Sequence, residues 1–178
     1  RGRGGLDARG PPPTPPAPAL LEVGGAPGEP RAAARPRRAA RLTGVDAAPA
    51  NIERARTRFP DHDWHVADMR NLDLGPHFDA IIAWDSFFHL SRDDQPATLA
   101  RLAAHGRPGA VLMLTSGPEN GEAIGDLFGE PLFHASLAPG EYRSILAGAG
   151  YTVLRYVPND PDCGGHTVWL ARKRETAP

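Results

Sequence analysis

Apolar runs that end in a carboxylate recur along this chain, and that recurrence constrains its fold more than any other feature. Arg41-Leu-Thr-Gly-Val-Asp46 is the first, Ala67-Asp68-Met69 follows the short run from Trp64 to Val66, and Phe78-Asp-Ala-Ile-Ile-Ala-Trp-Asp85 is the third. In an open parallel sheet the C-terminal ends of the strands share one rim, and ligands bind at that rim. One acid there carries little information. Three in series point to a polar, nucleoside-like ligand.

Between these runs the pattern is helical. Pro49 to Arg58 reads as a helix, because Pro49 suits a first turn and Phe59-Pro60 ends it. Arg92 to His105 places Leu99, Leu102 and Ala103 on one face, and Gly140 to Ala149 turns Tyr142, Ile145 and Leu146 inward before Gly150. Strands are expected at Ala19 to Val23, Leu42 to Val45, Trp64 to Val66, Phe78 to Trp84, Ala110 to Thr115, Tyr151 to Val157 and His166 to Ala171. The continuous run Phe78 to Trp84 reads as a central strand covered on both faces. Asp160 to Gly165 is rich in turn formers, so the last two strands should close as an antiparallel pair. Alternating strands and helices in this order make an α/β fold.

Residues before about 41 differ in kind from those after. Arg, Gly, Pro and Ala dominate them, and Pro11 to Pro18 is nearly all proline, which favours extended chain without a packed face. Residues 1–19 read as disordered and 20–178 as one globular domain, a size consistent with 178 residues in all. Balanced charge, 20 Lys and Arg against 21 Asp and Glu, provides no basic field for nucleic acid. No run of about 18 apolar residues is present to span a bilayer, and the single Cys163 has no partner for an internal disulfide. No secretory signal pattern opens the sequence. A cytoplasmic protein, with a monomer favoured, is the expectation.

The ordered elements from Leu20 to Arg172 resemble the class I S-adenosylmethionine-dependent methyltransferases. His105-Gly-Arg-Pro-Gly-Ala-Val-Leu-Met-Leu114 is similar to the family's entry into strand five, and Glu141 to Tyr151 to its last helix and strand six. The resemblance implies a Rossmann-like three-layer sandwich, mostly parallel with a C-terminal antiparallel hairpin, that binds S-adenosyl-L-methionine and methylates a small molecule. In that pattern Leu21-Glu-Val-Gly-Gly-Ala-Pro-Gly-Glu29 is the loop beneath the amino-acid end of the cofactor, with Glu22, Gly24 and Gly28 matching and Ala26 standing where glycine is usual. Glycines there allow left-handed backbone and close approach of a ligand. Pro30 and Pro36 would make the following helix short or kinked.

Asp46 lies 46 minus 24, or 22, residues after Gly24, the distance at which an acid ending the second strand meets a ribose. The same side chain could instead serve the helix that starts near Pro49. By resemblance Asp68 accepts the adenine amino group and Met69 lies beside the ring, and Asp85 completes the cofactor set. The segment Asp85-Ser86-Phe87-Phe88-His89 follows the central strand, where the family places the reacting methyl. His89 is the candidate base, set against a packed histidine held by a carbonyl. Ser86, Ser116, His134 and His166 are the candidates for acceptor contact. The segment from Ser116 to Ala138 reads as a lid over the opening. Cys163 and His166 supply only two ligands where zinc takes four, so no metal is assigned and a tight glycine turn explains the motif.

Two other readings stand beside this one. A nicotinamide-dependent oxidoreductase shares a glycine turn and a ribose acid, although Gly24-Gly-Ala-Pro-Gly-Glu29 lacks the Gly-x-Gly-x-x-Gly spacing. A methyltransferase-like domain that has lost cofactor binding is the third.

Overall fold

A computed structural model of the chain describes residues 16–25, 40–75 and 77–175. The proposed disorder of the N-terminal segment, Gly28 and the expected kinked helix after Pro30 lie outside them, apart from residues 16–19. Seven strands form one sheet in the order β3-β2-β1-β4-β5-β9-β8. They are β1 (Ala19–Val23), β2 (Arg41–Asp46), β3 (Asp63–Val66), β4 (Phe78–Ala83), β5 (Gly106–Ser116), β8 (Tyr151–Asp160) and β9 (His166–Lys173). All neighbours run parallel up to β5, and β9 then pairs antiparallel with both β5 and β8. This is the Rossmann-like α/β fold with its closing antiparallel hairpin.

Helices lie on both faces of the sheet. The helix α1 (Pro49–Arg58) places Ile52 and Ala55 against Leu42 and Trp64 in a small cluster. On the other face, α2 (Gln95–Ala104) and α3 (Pro139–Gly148) bury Leu99, Leu102, Tyr142 and Leu146 against Leu21, Ile81, Leu112 and Trp169. Burial of side chains of this size contributes about 1.5 to 3 kcal/mol each, so this second cluster holds the sheet together. No described helix is long and apolar enough to cross a membrane.

Three local differences from the sequence expectations have physical causes. The helix α2 begins at Gln95 rather than Arg92, because Ser91 to Asp94 forms a turn in which Asp94 N–H donates to Ser91 Oγ at 3.2 Å. The strand β5 begins at Gly106, with a register shift opposite Phe78 and Ala80 that absorbs Pro108 and Gly109. The expected lid is a separate two-stranded hairpin, β6 (Gly121–Leu127) and β7 (Glu130–Ser136).

His105 is a buried strut at the end of α2. Its Nδ1–H donates to Arg101 O at 2.8 Å, and its Nε2 accepts from Leu74 N–H at 3.0 Å. A carbonyl only accepts and an amide only donates, so the two contacts fix the neutral tautomer.

Candidate functional site

The strand order reverses between β1 and β4, and their C-terminal ends open the crevice that such sheets use for ligands. Ser86 closes the floor of this crevice. Its hydroxyl donates to Val23 O at 2.8 Å and is buried. Gly24 crosses directly above with φ +65°, its N–H donating to Val45 O at 2.7 Å. A Cβ on Gly24 would stand 2.5 Å from Ser86 Cβ and 3.2 Å from Met69 Cε. Both the left-handed angle and the close approach therefore demand glycine. Beneath the loop, the buried Glu22 turns its carboxylate toward Gly25.

A cavity of about 310 Å³ extends from this point, lined by Gly24, Asp46, Asp68, Met69, Ser86 and His89 among others. Asp46 serves the helix as well as the cavity: Oδ1 accepts from Ala48 N–H at 2.7 Å, and Oδ2 accepts from Asn51 Nδ2 at 3.2 Å. Each carboxylate oxygen keeps a second lone pair, so these bonds leave capacity for hydroxyl donors. Asp68 accepts from Arg70 N–H at 2.9 Å and forms an ion pair with the same residue's guanidinium. The Arg70 side chain bonds it, and its pKa lies below the ordinary carboxylate value as a result. Arg70 also reaches Asp94 at 3.3 Å, along the edge of the cavity.

A second cavity, of about 450 Å³, opens on the other side of the turn Phe87–His89. Phe88, Ser116, Glu119, Glu122, His134 and His166 are in its wall. The hairpin β6–β7 forms one side and is anchored by hydrogen bonds: Gly117 N–H donates to Ser136 Oγ at 2.6 Å, and His89 Nδ1–H donates to Phe133 O at 2.9 Å. Gln95 Nε2 donates to Ala135 O at 2.9 Å, and Tyr142 O–H donates to Gln95 Oε1 at 2.7 Å. Ser116 is engaged within the protein, accepting from Trp169 Nε1 at 2.9 Å and donating to Gly117 O at 2.8 Å.

Three histidine rings gather around Phe88. His89 and His134 have centroids 5.1 Å apart, His134 lies edge-on to Phe88 at 4.8 Å, and His166 stacks on Phe88 at 5.8 Å. Burial first, and then the nearby His89 and His166, hold the His134 pKa below its usual value, so its ring stays neutral near pH 7. His166 reaches this place from a left-handed Gly164-Gly165 turn, with φ of +69° and +79°, and its Nε2 lies 3.1 Å from Asp85 Oδ1. Burial, Asp160 and Asp162 push the Cys163 thiol up, away from the thiolate a nucleophile requires.

The structure thus sorts the sequence candidates into two groups. Gly24, Asp46, Asp68, Met69, Ser86 and His89 share the first cavity, while Ser116, His134 and His166 share the second. Asp85 is among the lining residues of neither and faces His166. Gln95, Thr115, Ser136 and Tyr142 position the site but carry no motif; only their polarity within apolar runs could have marked them.

Residues 20–109 match the family model described as a methyltransferase domain. No curated protein sequence matches the chain. Among solved structures, the chain is similar to S-adenosylmethionine-bound CalS10, an amino pentose methyltransferase from Micromonospora echinaspora. The two share 24% identity and a TM-score of 0.70, over 89% of this chain and 84% of the other. It is also similar to the sugar N-methyltransferase KedS8 from Streptoalloteichus, at 19% identity and a TM-score of 0.68 over 90% and 82%. The Burkholderia thailandensis 1,6-didemethyltoxoflavin-N1-methyltransferase gives 21% identity and 0.66 over 89% and 72%.

Proposed function

Because the chain belongs to the methyltransferase domain family, we propose that it transfers a methyl group from S-adenosyl-L-methionine to a small-molecule acceptor. The observation that carries this reading is the crevice in which Gly24 passes 2.5 Å (from its would-be Cβ) above Ser86 while Asp46 and Asp68 line the same cavity. A backbone stripped of its side chain, with carboxylates at two successive strand ends, fits a ligand bearing a nucleoside and an amino-acid tail.

In this reading Asp46 accepts from the ribose hydroxyls, Asp68 accepts from the adenine amino group in place of one of its Arg70 bonds, and Met69 lies against the base. Glu22, Gly24 and Gly28 serve the amino-acid end. The cofactor supplies an electrophilic methyl on a sulfonium sulfur. The protein's part is to hold donor and acceptor in line and to exclude water, from which most of the rate derives. Phe88 and His89 stand between the two cavities, where the reacting groups meet, and aromatic faces there suit a sulfonium cation. His89 keeps its place through the Phe133 carbonyl, with Nε2 as its remaining nitrogen.

By their names the similar structures above act on an amino pentose, a sugar nitrogen and 1,6-didemethyltoxoflavin, and a 450 Å³ cavity is of a size for such molecules. Competition binding tests the reading. S-adenosylhomocysteine should displace S-adenosylmethionine and NADH should not; displacement by NADH alone would favour the oxidoreductase.

A further inference from the structure

The second cavity is electrostatically one-sided. Glu119 and Glu122 stand in its wall, and none of its described lining residues is Lys or Arg. On the His166 side burial, Asp160 and Asp162 raise the Cys163 thiol against the opposing charge of Arg155. Such a field draws in a cation and repels a carboxylate or phosphate. A protonated amine that enters is not yet a nucleophile, since its nitrogen has no free lone pair. The cavity then needs a base of its own.

Two histidines face this space. His134 Nε2 is buried with no protein partner among the described residues, so nothing fixes its tautomer. His166 is different. Its Nε2 lies 3.1 Å from Asp85 Oδ1, an ion-pair distance outside hydrogen-bond geometry, and a carboxylate so close favours the proton on Nε2 and the lone pair on Nδ1. Asp85 is itself held in place, with φ +50° and its N–H donating to Thr115 Oγ1 at 2.9 Å. A left-handed angle at a residue with a Cβ is strained, and strain of that kind collects at functional sites. The His166 ring is further confined by stacking on Phe88 and by the edge of Trp84, 6.4 Å away. A carboxylate that orients an imidazole and supports the imidazolium it becomes is the arrangement a general base requires.

Resting on the methyl-transfer reading above, we propose that the acceptor is a small protonated amine and that His166, oriented by Asp85, is the base that frees its nitrogen. The Nδ1 lone pair takes the ammonium proton, and the electrons of that N–H bond remain on the acceptor nitrogen. The nitrogen lone pair then forms the bond to the methyl carbon as the carbon–sulfur bond breaks, its electron pair staying on sulfur. Two positive charges enter, on the ammonium and the sulfonium. Two leave, on the methylated ammonium and on His166, which returns its proton to solvent.

The test begins with protein saturated with S-adenosylhomocysteine. Titration calorimetry compares glucosamine, tyramine and putrescine with glucose, tyrosol and butanediol, and tritiated methyl transfer from S-adenosylmethionine is then measured for each. At least one amine should bind and be methylated while its hydroxyl counterpart does neither. Joint Glu119→Gln and Glu122→Gln substitution should weaken amine binding severalfold without changing S-adenosylhomocysteine affinity. His166→Asn should keep both affinities and lower kcat by about a hundredfold or more, the scale of a lost general base. Preferred methylation of a hydroxyl compound, binding of none of the amines to the saturated protein, or an unchanged kcat in His166→Asn would overturn the proposal. Failure to bind S-adenosylhomocysteine at all is a separate result that overturns the methyl-transfer reading beneath it.

Discussion

The Asp68 carboxylate grips Arg70 through both of its oxygens: Arg70 Nε lies 3.1 Å from Oδ1 and 3.0 Å from Oδ2, and Nη2 lies 2.7 Å from Oδ2. The pair sits at the edge of the smaller cavity, and its Asp68 pKa is depressed in the folded protein. A depressed carboxylate contributes stability that is full above its unfolded value near 3.8 and is lost as pH falls through the folded one. Arg70→Ala should therefore lower the urea midpoint slightly at neutral pH, with the difference from wild type vanishing in acid. Exposure and salt screening keep the effect small. A difference that grows in acid would contradict the assigned pair.

Gly24→Ala places a methyl 2.5 Å from Ser86 Cβ at a φ of +65°. The left-handed angle alone costs about 1 to 2 kcal/mol for a residue with a Cβ, and the overlap adds to it. Thermal melts should show that loss, and S-adenosylhomocysteine binding should fall with it. Wild-type affinity in this variant would remove the loop from the site.

Asp46 holds two functions that two substitutions separate. Asn keeps an oxygen for Ala48 N–H and preserves the start of α1, whereas Ala removes it. Both should weaken cofactor binding, by about 1 to 3 kcal/mol for the lost charged hydrogen bonds, but only Asp46→Ala should also lower thermal stability. Calorimetry and melting curves on the two variants check this directly.

Tyr142 ties the hairpin β6–β7 to the core. Its hydroxyl donates to Gln95 Oε1 at 2.7 Å and accepts from Leu137 N–H at 3.2 Å, and burial raises its pKa. Tyr142→Phe leaves two buried groups unpaired, a loss of about 1 to 3 kcal/mol in chemical denaturation. Amide exchange in β7 should accelerate in the same variant.

The sheet was legible in the sequence because its strands are short apolar runs bounded by breakers, as in Phe78–Ala83, and because Pro49 and Phe59-Pro60 bracket α1. The hairpin β6–β7 was not. Its two-residue turn, Phe128-Gly129, has φ of +55° and +87°, a conformation that Asn-Gly or Asp-Gly would have announced. Phe at the first position hides it, and the turn is supported instead by Gly129 N–H donating to Asp126 Oδ1 at 3.0 Å. The rim acids were visible as a series, but their partners were not: Arg70 on Asp68 and His166 on Asp85 depend on side-chain reach across loops. Asp85, expected in the cofactor set by resemblance, is among the lining residues of neither cavity and lies 3.1 Å from His166 Nε2.

Isothermal titration of the chain with S-adenosylmethionine and S-adenosylhomocysteine, repeated on Asp46→Asn, measures cofactor binding at the Gly24 crevice. The expected result is one-to-one micromolar binding of both ligands, weakened about fivefold to 150-fold by the substitution. No binding by the wild-type chain, or equal binding by the Asp46→Asn variant, would contradict it.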